Sequence, residues 1–292
     1  MARTAAVVVL YHPGEEVVAN IRTWNDQVAK VYAVDNSEPP DESLAVRLVA
    51  LGNVICLPQR ANLGIAAALN IGAESAIAEG FDYLLTMDQD SRAQPGMVET
   101  MLGCLKKTGS NTIGIIAPFA SVRSEMAPQQ GGISEELMVI TSGNLLNLNS
   151  YKEIGRFDEK LFIDMVDIDY CLRLRIAGHK VIRCNDTLLY HELGNITAHT
   201  YRGRTNYVIN HNSLRRYYMS RNRWYVINKY QAHFPEYCRS LKTAHRGEIK
   251  AIILFENDKL KKLWMTLKGY LDFRRGRFGR YGTNPESRQR SR

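Results

Sequence analysis

Short apolar runs alternate with stretches of helical period along the first 120 positions, the pattern of βαβ units around a mostly parallel sheet. The runs predict strands at Ala5–Leu10, Val31–Val34, Val54–Leu57, Tyr83–Met87 and Ile113–Ala117. Between them, helices are predicted near Glu15–Val28, Asp41–Leu51, Ile65–Glu79 and Gly96–Lys107. Each later strand is reached by a crossover long enough to return it parallel to its neighbour. From Ser121 to Glu136 the period fails around the pair Gly131-Gly132, which predicts a surface loop. Beyond it the pattern predicts a strand pair within Met138–Asn147, a helix over Val166–Ala177 and strands at Lys180–Arg183 and Thr187–His191. Asn195–Asn212 lacks an aliphatic pattern and reads as a loop over a site. Leu214–Ala232, Pro235–Glu256 and Lys259–Phe273 read as helices.

These elements predict an α/β fold with a helical appendage: a main domain over 1–212, a helical segment over 213–273 and a basic, disordered tail over 274–292. Composition leaves that picture intact, since 292 residues with 45% hydrophobic and 23% charged positions lie in the globular range. The five cysteines, at 56, 104, 171, 184 and 238, form no CxxC pair and are odd in number. That argues against a disulfide framework and a zinc ribbon and points to a reducing cytoplasm. No leader pattern opens the sequence and no apolar run approaches the roughly 18 residues of a spanning helix, so a soluble or peripheral protein is expected.

Charge changes the picture more. Residues 1–200 hold 16 Lys and Arg against 24 Asp and Glu, a net of −8, whereas residues 201–292 hold 22 against 6, a net of +16. The split suggests an acidic catalytic body joined to a basic segment that meets phosphates or an anionic membrane surface, with a solvated tail as the alternative.

Four stretches carry candidate chemistry. Asp88-Gln89-Asp90 follows the apolar run 83–87, which puts two carboxylates at the carboxyl edge of the sheet, where Mg²⁺ or Mn²⁺ and a substrate phosphate can be held. A turn pair before Ser91 is the alternative. Asp35 ends the second strand and can accept from a nucleobase imide or a sugar hydroxyl, or simply close an Asx turn. Gln59-Arg60-Ala61-Asn62-Leu63-Gly64 opens an alanine-rich helix whose small residues admit a ligand or a neighbouring strand. Asp164, Asp167 and Asp169 crowd the start of a helix, where one can cap and another can take a proton from an attacking hydroxyl.

In their order along residues 5 to 230, these motifs resemble the family 2 glycosyltransferases of GT-A fold, and among them the bacterial rhamnosyltransferases of cell-surface polysaccharide synthesis. Val166-Asp167-Ile168-Asp169-Tyr170-Cys171-Leu172-Arg173 is similar to the family's Glu-Asp-x-Asp-x-x-x-Arg, with Val166 in place of the leading acid. The resemblance implies Asp167 as catalytic base and Asp88, Asp90 and His191 as ligands of Mg²⁺ or Mn²⁺. It implies nucleotide-sugar contacts at Tyr11, Asp35, Arg60, Asn62, Gly64, Asp88, Gln89, Gly143 and Arg221. Arg221 lies in Arg215-Arg216-Tyr217-Tyr218-Met219-Ser220-Arg221-Asn222-Arg223, which resembles a run of the rhamnosyltransferases. The implied donor is dTDP-L-rhamnose, with UDP-sugars open. The implied acceptor is a glycan, free or linked to polyprenyl diphosphate, at the inner face of the cytoplasmic membrane. The apolar face of 248–271 would then lie in that membrane, pack on the catalytic domain or meet a second copy in a homo-oligomer.

Two rival classes are weighed against this. A nucleotidyltransferase would place a glycine-rich basic loop after the first strand, where Tyr11-His12-Pro13-Gly14-Glu15-Glu16 is acidic. A nucleic-acid-binding protein would use the basic carboxyl-terminal helices, but leaves the ordered carboxylates without a purpose, so no nucleic-acid partner is expected.

Overall fold

The computed structural model describes residues 2–109, 112–121, 131–190, 196–201 and 204–283, with the backbone alone for the strands within 196–209. The chain forms two compact units, one of residues 1–159 with 166–192, the other of 160–165 with 193–292.

In the first unit, β1 (Thr4–Leu10), β2 (Lys30–Asp35), β3 (Val54–Pro58) and β4 (Tyr83–Asp88) run parallel in the order β3-β2-β1-β4. Their crossovers are α1 (Val17–Arg22), α2 (Glu42–Val49) and α3 (Ile65–Ala78). The sheet continues through β5 (Arg92–Ala93), β6 (Ile113–Ser121), β7 (Ile133–Glu135), β8 (Asn144–Asn147) and β9 (Lys180–Tyr190), with α4 (Met97–Thr108), α5 (Leu148–Ile154) and α6 (Val166–Ile176). β8 enters antiparallel between β4 and β6, β6 and β9 are parallel, and β5 and β7 pair with β9 antiparallel. A core of Val8, Leu10, Trp24, Val31, Leu85, Met87 and Met101 lies under one face. On α3 the small residues serve packing: a Cβ on Gly72 would stand 2.3 Å from Val7 Cγ2 on β1.

Several sequence expectations are corrected. The helix expected over Glu15–Val28 stops at Arg22 and gives way to a 3-10 turn at Asn25–Gln27, which buries Trp24. Within Met138–Asn147 only Asn144–Asn147 is a strand, because Gly143 turns the chain at φ 85° and its N–H bonds Thr86 O at 2.7 Å. Part of the loop expected over 121–136 forms the strand β7. The two strands expected around residue 185 are one, β9, with a register shift against β6 between Pro118 and Phe119. Cys104 and Cys184 are joined by a disulfide, because α4 packs on β9 and brings the two buried thiols together; an odd cysteine count does not forbid a single pair.

The second unit opens on a hairpin of β10 (Ile196–Tyr201) and β11 (Arg204–Ile209), where a loop was expected. Threonine, tyrosine, valine and isoleucine suit a strand without a long aliphatic run. Then come α7 (Ser213–Tyr230), capped by the Asn212 side chain, α8 (Pro235–Phe255) with proline in its first turn, and α9 (Lys259–Arg274). Buried ion pairs of Arg216 to Glu256 and Lys262 to Glu256 at 2.9 Å, and a half-buried pair of Arg223 to Glu248, knit them. Residues 275–283, expected in a disordered tail, pack instead on α7: Tyr281 N–H donates to Tyr218 Oη at 2.7 Å, and Gly279 O accepts from Arg221. Residues 284–292 of that expected tail lie outside the described residues.

Candidate functional site

Parallel register puts the candidate carboxylates at one edge of the first unit's sheet. Asp35, the last residue of β2, stands opposite Leu10 on β1 and Pro58 on β3; Asp88, the last residue of β4, stands opposite Val9. Because β1 to β4 run parallel, their carboxyl ends lie on the same side, the ordinary ligand side of an α/β sheet.

Asp35 is buried and its Oδ1 accepts from Ser37 N–H at 2.8 Å, so the Asx turn forms. It also borders a cavity of about 80 Å³ with Leu10, Leu44, Cys56, Pro58 and Arg60. Burial, and then the charge of Asp35, pushes the Cys56 thiol up from its ordinary range. Arg60 sits at φ 54° and is exposed at that rim. Asn62 Oδ1 accepts from Gly64 N–H at 3.0 Å, Asn36 Nδ2 donates to Gly64 O at 3.2 Å, and Gly64 itself has φ 88° before α3. A residue with a Cβ would be strained there.

At the other end, Gln89 ties the loops together. Its Oε1 accepts from Tyr11 N–H at 2.8 Å, its Nε2 donates to Tyr11 O at 3.4 Å, and its carbonyl accepts from Asn20 Nδ2. That amide spends its polar atoms on the main chain of Tyr11, whose ring remains exposed. Asp88 N–H donates to Ser142 Oγ, which bonds Ser91 Oγ at 2.8 Å. Ser91 and Ser142 are buried supports for the Asp-x-Asp turn, and no motif in the sequence singles them out.

Asp167 lies half-buried in the first turn of α6, its Oδ1 accepting from Ile168 N–H at 2.8 Å. It borders a small cavity of about 10 Å³ with Thr86, Thr141, Asn144, Tyr170 and Cys171. Thr86 stands two residues before Asp88 on β4, so the lining of this cavity shares a strand with the Asp-x-Asp. Burial pushes Cys171 up to about 12, which leaves it a neutral thiol at ordinary pH. Of the three clustered carboxylates, Asp169 is fully buried and paired with Arg173 Nε at 3.0 Å, one helical turn on. Arg173 is further fixed by the carbonyls of Ile154 and Arg156.

Asp164 belongs to the second unit, where it pairs with Arg215 at 2.7 Å. Phe162, Asp164 and Met165 all adopt positive φ, at 63°, 67° and 65°. Asn222 is completely buried, and its Nδ2 reaches the carbonyls of Leu161 at 2.7 Å, Ile163 at 2.6 Å and Asp164 at 3.1 Å. Arg221 is 1% exposed, its guanidinium donating to Lys160 O, Leu161 O, Gly279 O and Asn222 Oδ1. The sequence-based assignment of Arg221 to the nucleotide sugar is therefore corrected: this guanidinium holds the loop 160–165. His191 lies outside the described residues.

The model of glycosyl transferase family 2 matches residues 7–168, over half of the chain and all of the elements just described up to Asp167. The chain belongs to glycosyl transferase family 2. The dTDP-rhamnosyl transferase RfbF of Shigella flexneri is 27% identical over 242 residues, covering 77% of this chain and 79% of that protein. A crystal structure of GalNAc-T7 with UDP, GalNAc and Mn²⁺ superposes with a TM-score of 0.60 at 13% identity over 94% of this chain, which spans 56% of that one. Residues 1–349 of S. aureus TarS superpose with a TM-score of 0.59 at 11% identity, over 93% of this chain and 80% of that one. The fold is GT-A, as expected.

The donor set of this family 2 glycosyltransferase fits a divalent cation. Asp88 and Asp90 flank one turn residue and carry hard oxygens of the kind that Mg²⁺ or Mn²⁺ prefers. Among the described residues, the group of three close cysteine and carboxylate ligands is Cys104, Cys184 and Asp186, and its two sulfurs are bonded to each other.

Proposed function

We propose that this glycosyltransferase moves L-rhamnose from dTDP-L-rhamnose to a hydroxyl of a cell-surface glycan carried on polyprenyl diphosphate, with inversion. Residues 1–212 form the catalytic part and 213–273 its helical appendage. The observation that carries the reading is the Asp35 cavity and the Asp88-Gln89-Asp90 turn on one sheet edge, with Asp167 beside Thr86 of the same strand as Asp88. The likeness to the Shigella rhamnosyl transferase supports the donor.

Asp35 accepts from the base, Arg60, Asn62, Gly64 and Tyr11 line the nucleoside, and Gly143 and Gln89 shape the floor of the turn. Asp88, Asp90 and His191 would hold a divalent cation, which would supply charge neutralisation for the diphosphate. Asp167 removes the acceptor proton as the acceptor oxygen bonds to the anomeric carbon. The bond from that carbon to the phosphate oxygen breaks, its electron pair leaves with the nucleoside diphosphate, and the configuration inverts.

A transfer screen over nucleotide sugars tests the donor: dTDP-L-rhamnose should give the highest kcat/KM, and preference for a UDP-hexose would overturn it. Asp167→Asn should lower kcat by about 10²–10⁴ with donor binding kept, and a folded Asp167→Asn enzyme of full activity would remove the base assignment. Asp88→Asn and Asp35→Asn should instead weaken nucleotide binding, read by thermal shift with nucleoside diphosphate and Mn²⁺.

A further inference from the structure

Helix α9 is oriented against the usual rule for a surface helix. The residues it buries are Lys262, Thr266, Gly269 and Asp272, a polar or small stripe at helical spacing. That stripe is fully used: Lys262 pairs with Glu256 and donates to Asn210, and Asp272 accepts from Tyr217 Oη at 2.9 Å. On the other side Leu260, Trp264 and Leu267 are 86%, 59% and 48% exposed, at positions i, i+4 and i+7. Ile253 and Leu254, at the end of α8 just before the short link to α9, are exposed as well. Scattered exposed leucines need no explanation, but a tryptophan and two leucines on one stripe, with the polar residues inside, mark a surface that meets something apolar.

The surroundings say what that is. Between residues 250 and 277 the exposed cations are Lys250, Lys259, Lys261, Arg274, Arg275 and Arg277, and the exposed acid is Asp258. A second copy of the chain is disfavoured, because a two-fold interface would set this basic surface against itself. No described helix is long and apolar enough to cross a membrane. We propose that this face of α9, with the end of α8, lies in the headgroup region of an anionic lipid bilayer. Leu260, Trp264 and Leu267 enter the acyl boundary and the flanking lysines and arginines meet the lipid phosphates. Tryptophan favours that interface because one edge of its ring is apolar and the other donates a hydrogen bond. The proposal stands on the second unit alone and is independent of the donor sugar or the catalytic base.

The test is co-sedimentation of the full chain with vesicles of phosphatidylcholine alone and of phosphatidylcholine with roughly one-third phosphatidylglycerol. The second set should bind at least about ten-fold more protein at low salt. Leu260→Ser/Trp264→Ser/Leu267→Ser should lose at least about ten-fold of that binding while keeping the wild-type Tm, because the three side chains already face water. Wild-type protein left in the supernatant with the anionic vesicles would overturn the proposal, as would triple-serine protein that binds like wild type. A Tm collapse in the triple variant would also overturn it, by showing the stripe to be core. So would a dimer in sedimentation velocity that the triple variant abolishes, since the face would then belong to a second copy.

Discussion

Gly269 tests how closely α9 seats on α7, the helix that carries Arg221 and Asn222. A Cβ at this position would stand 2.4 Å from Tyr217 O, 3.1 Å from Arg221 N and 3.2 Å from Ser220 Cβ. The first two are backbone atoms within a helix and cannot rotate away, so α9 must lift by about 1 Å to restore ordinary contact. Overpacking of that kind costs about 1–3 kcal/mol. Alanine recovers about 1 kcal/mol of helix propensity over glycine. With a carbonyl oxygen as the obstacle the upper end applies, and Gly269→Ala should destabilise the chain by about 2 kcal/mol. Gly247, inside α8, supplies the control, because a Cβ there meets nothing within 4 Å. Gly247→Ala should therefore stabilise, by about 0.5–1 kcal/mol. One substitution in two helices of the same unit is thus expected to move stability in opposite directions. Urea unfolding of the full chain followed by circular dichroism reads both, and Tm should fall by several degrees for Gly269→Ala. A Gly269→Ala protein as stable as Gly247→Ala would refute the close approach and the packing argument built on it.

Asn222→Leu removes the donor that reaches three loop carbonyls, while Phe162, Asp164 and Met165 still require positive φ. Amide exchange of 160–165 should accelerate by at least about ten-fold, and Met165→Gly in the same chain should recover stability because glycine takes positive φ without strain. His245 and His211 both have their pKa lowered, by burial first and then by neighbouring arginines, and Arg223 Nη1 donates to His245 Nδ1 at 2.9 Å, which requires a neutral ring. The unfolded chain therefore binds protons more readily at these two sites, so their stability contribution is present above about pH 6.5 and is lost as pH falls through the depressed folded values. The slope of Tm against pH between about 7 and 5 should flatten in His211→Gln/His245→Gln, and an unchanged slope would remove both groups from the account.

The parallel half of the sheet was legible because βαβ units write their strands as unbroken apolar runs, and the Asp-x-Asp and Asp35 stand where those runs end. The hairpin of β10 and β11 escaped notice because threonines and tyrosines carry it without an aliphatic run. At α6 the sequence offered three acids and could not divide their duties. Tertiary contacts do so: Asp169 is taken by Arg173, Asp164 by Arg215, and Asp167 lines the cavity beside Thr86. Arg221 is the instructive error. A basic helical motif has the same composition whether its guanidinium meets a phosphate or three main-chain carbonyls, and only burial separates the two. Asn222, in the same motif, carries no mark in the sequence of the loop that it holds.

Burial also decides what the +16 of residues 201–292 is for. Arg216, Arg221, Arg223 and Lys262 are inside the second unit, committed to Glu256, Glu248 and backbone oxygens, so they contribute little to an outward field. Tyr217 and Tyr218, which a single-stranded nucleic acid would need as stacking faces, are buried as well, with Tyr218 stacked on Phe162. Those two rings are therefore committed to packing inside the second unit. What reaches the surface between 250 and 277 is cationic charge beside exposed aliphatic and indole groups. These two components respond differently to salt, since attraction between surface charges is screened over about 8–10 Å at physiological ionic strength while apolar transfer is not weakened by it. Binding to anionic vesicles should therefore fall with added salt to a plateau instead of to zero, and that plateau should vanish in Leu260→Ser/Trp264→Ser/Leu267→Ser. A wild-type curve that falls to zero would mean that charge alone holds the protein there and that the inverted stripe of α9 takes no part.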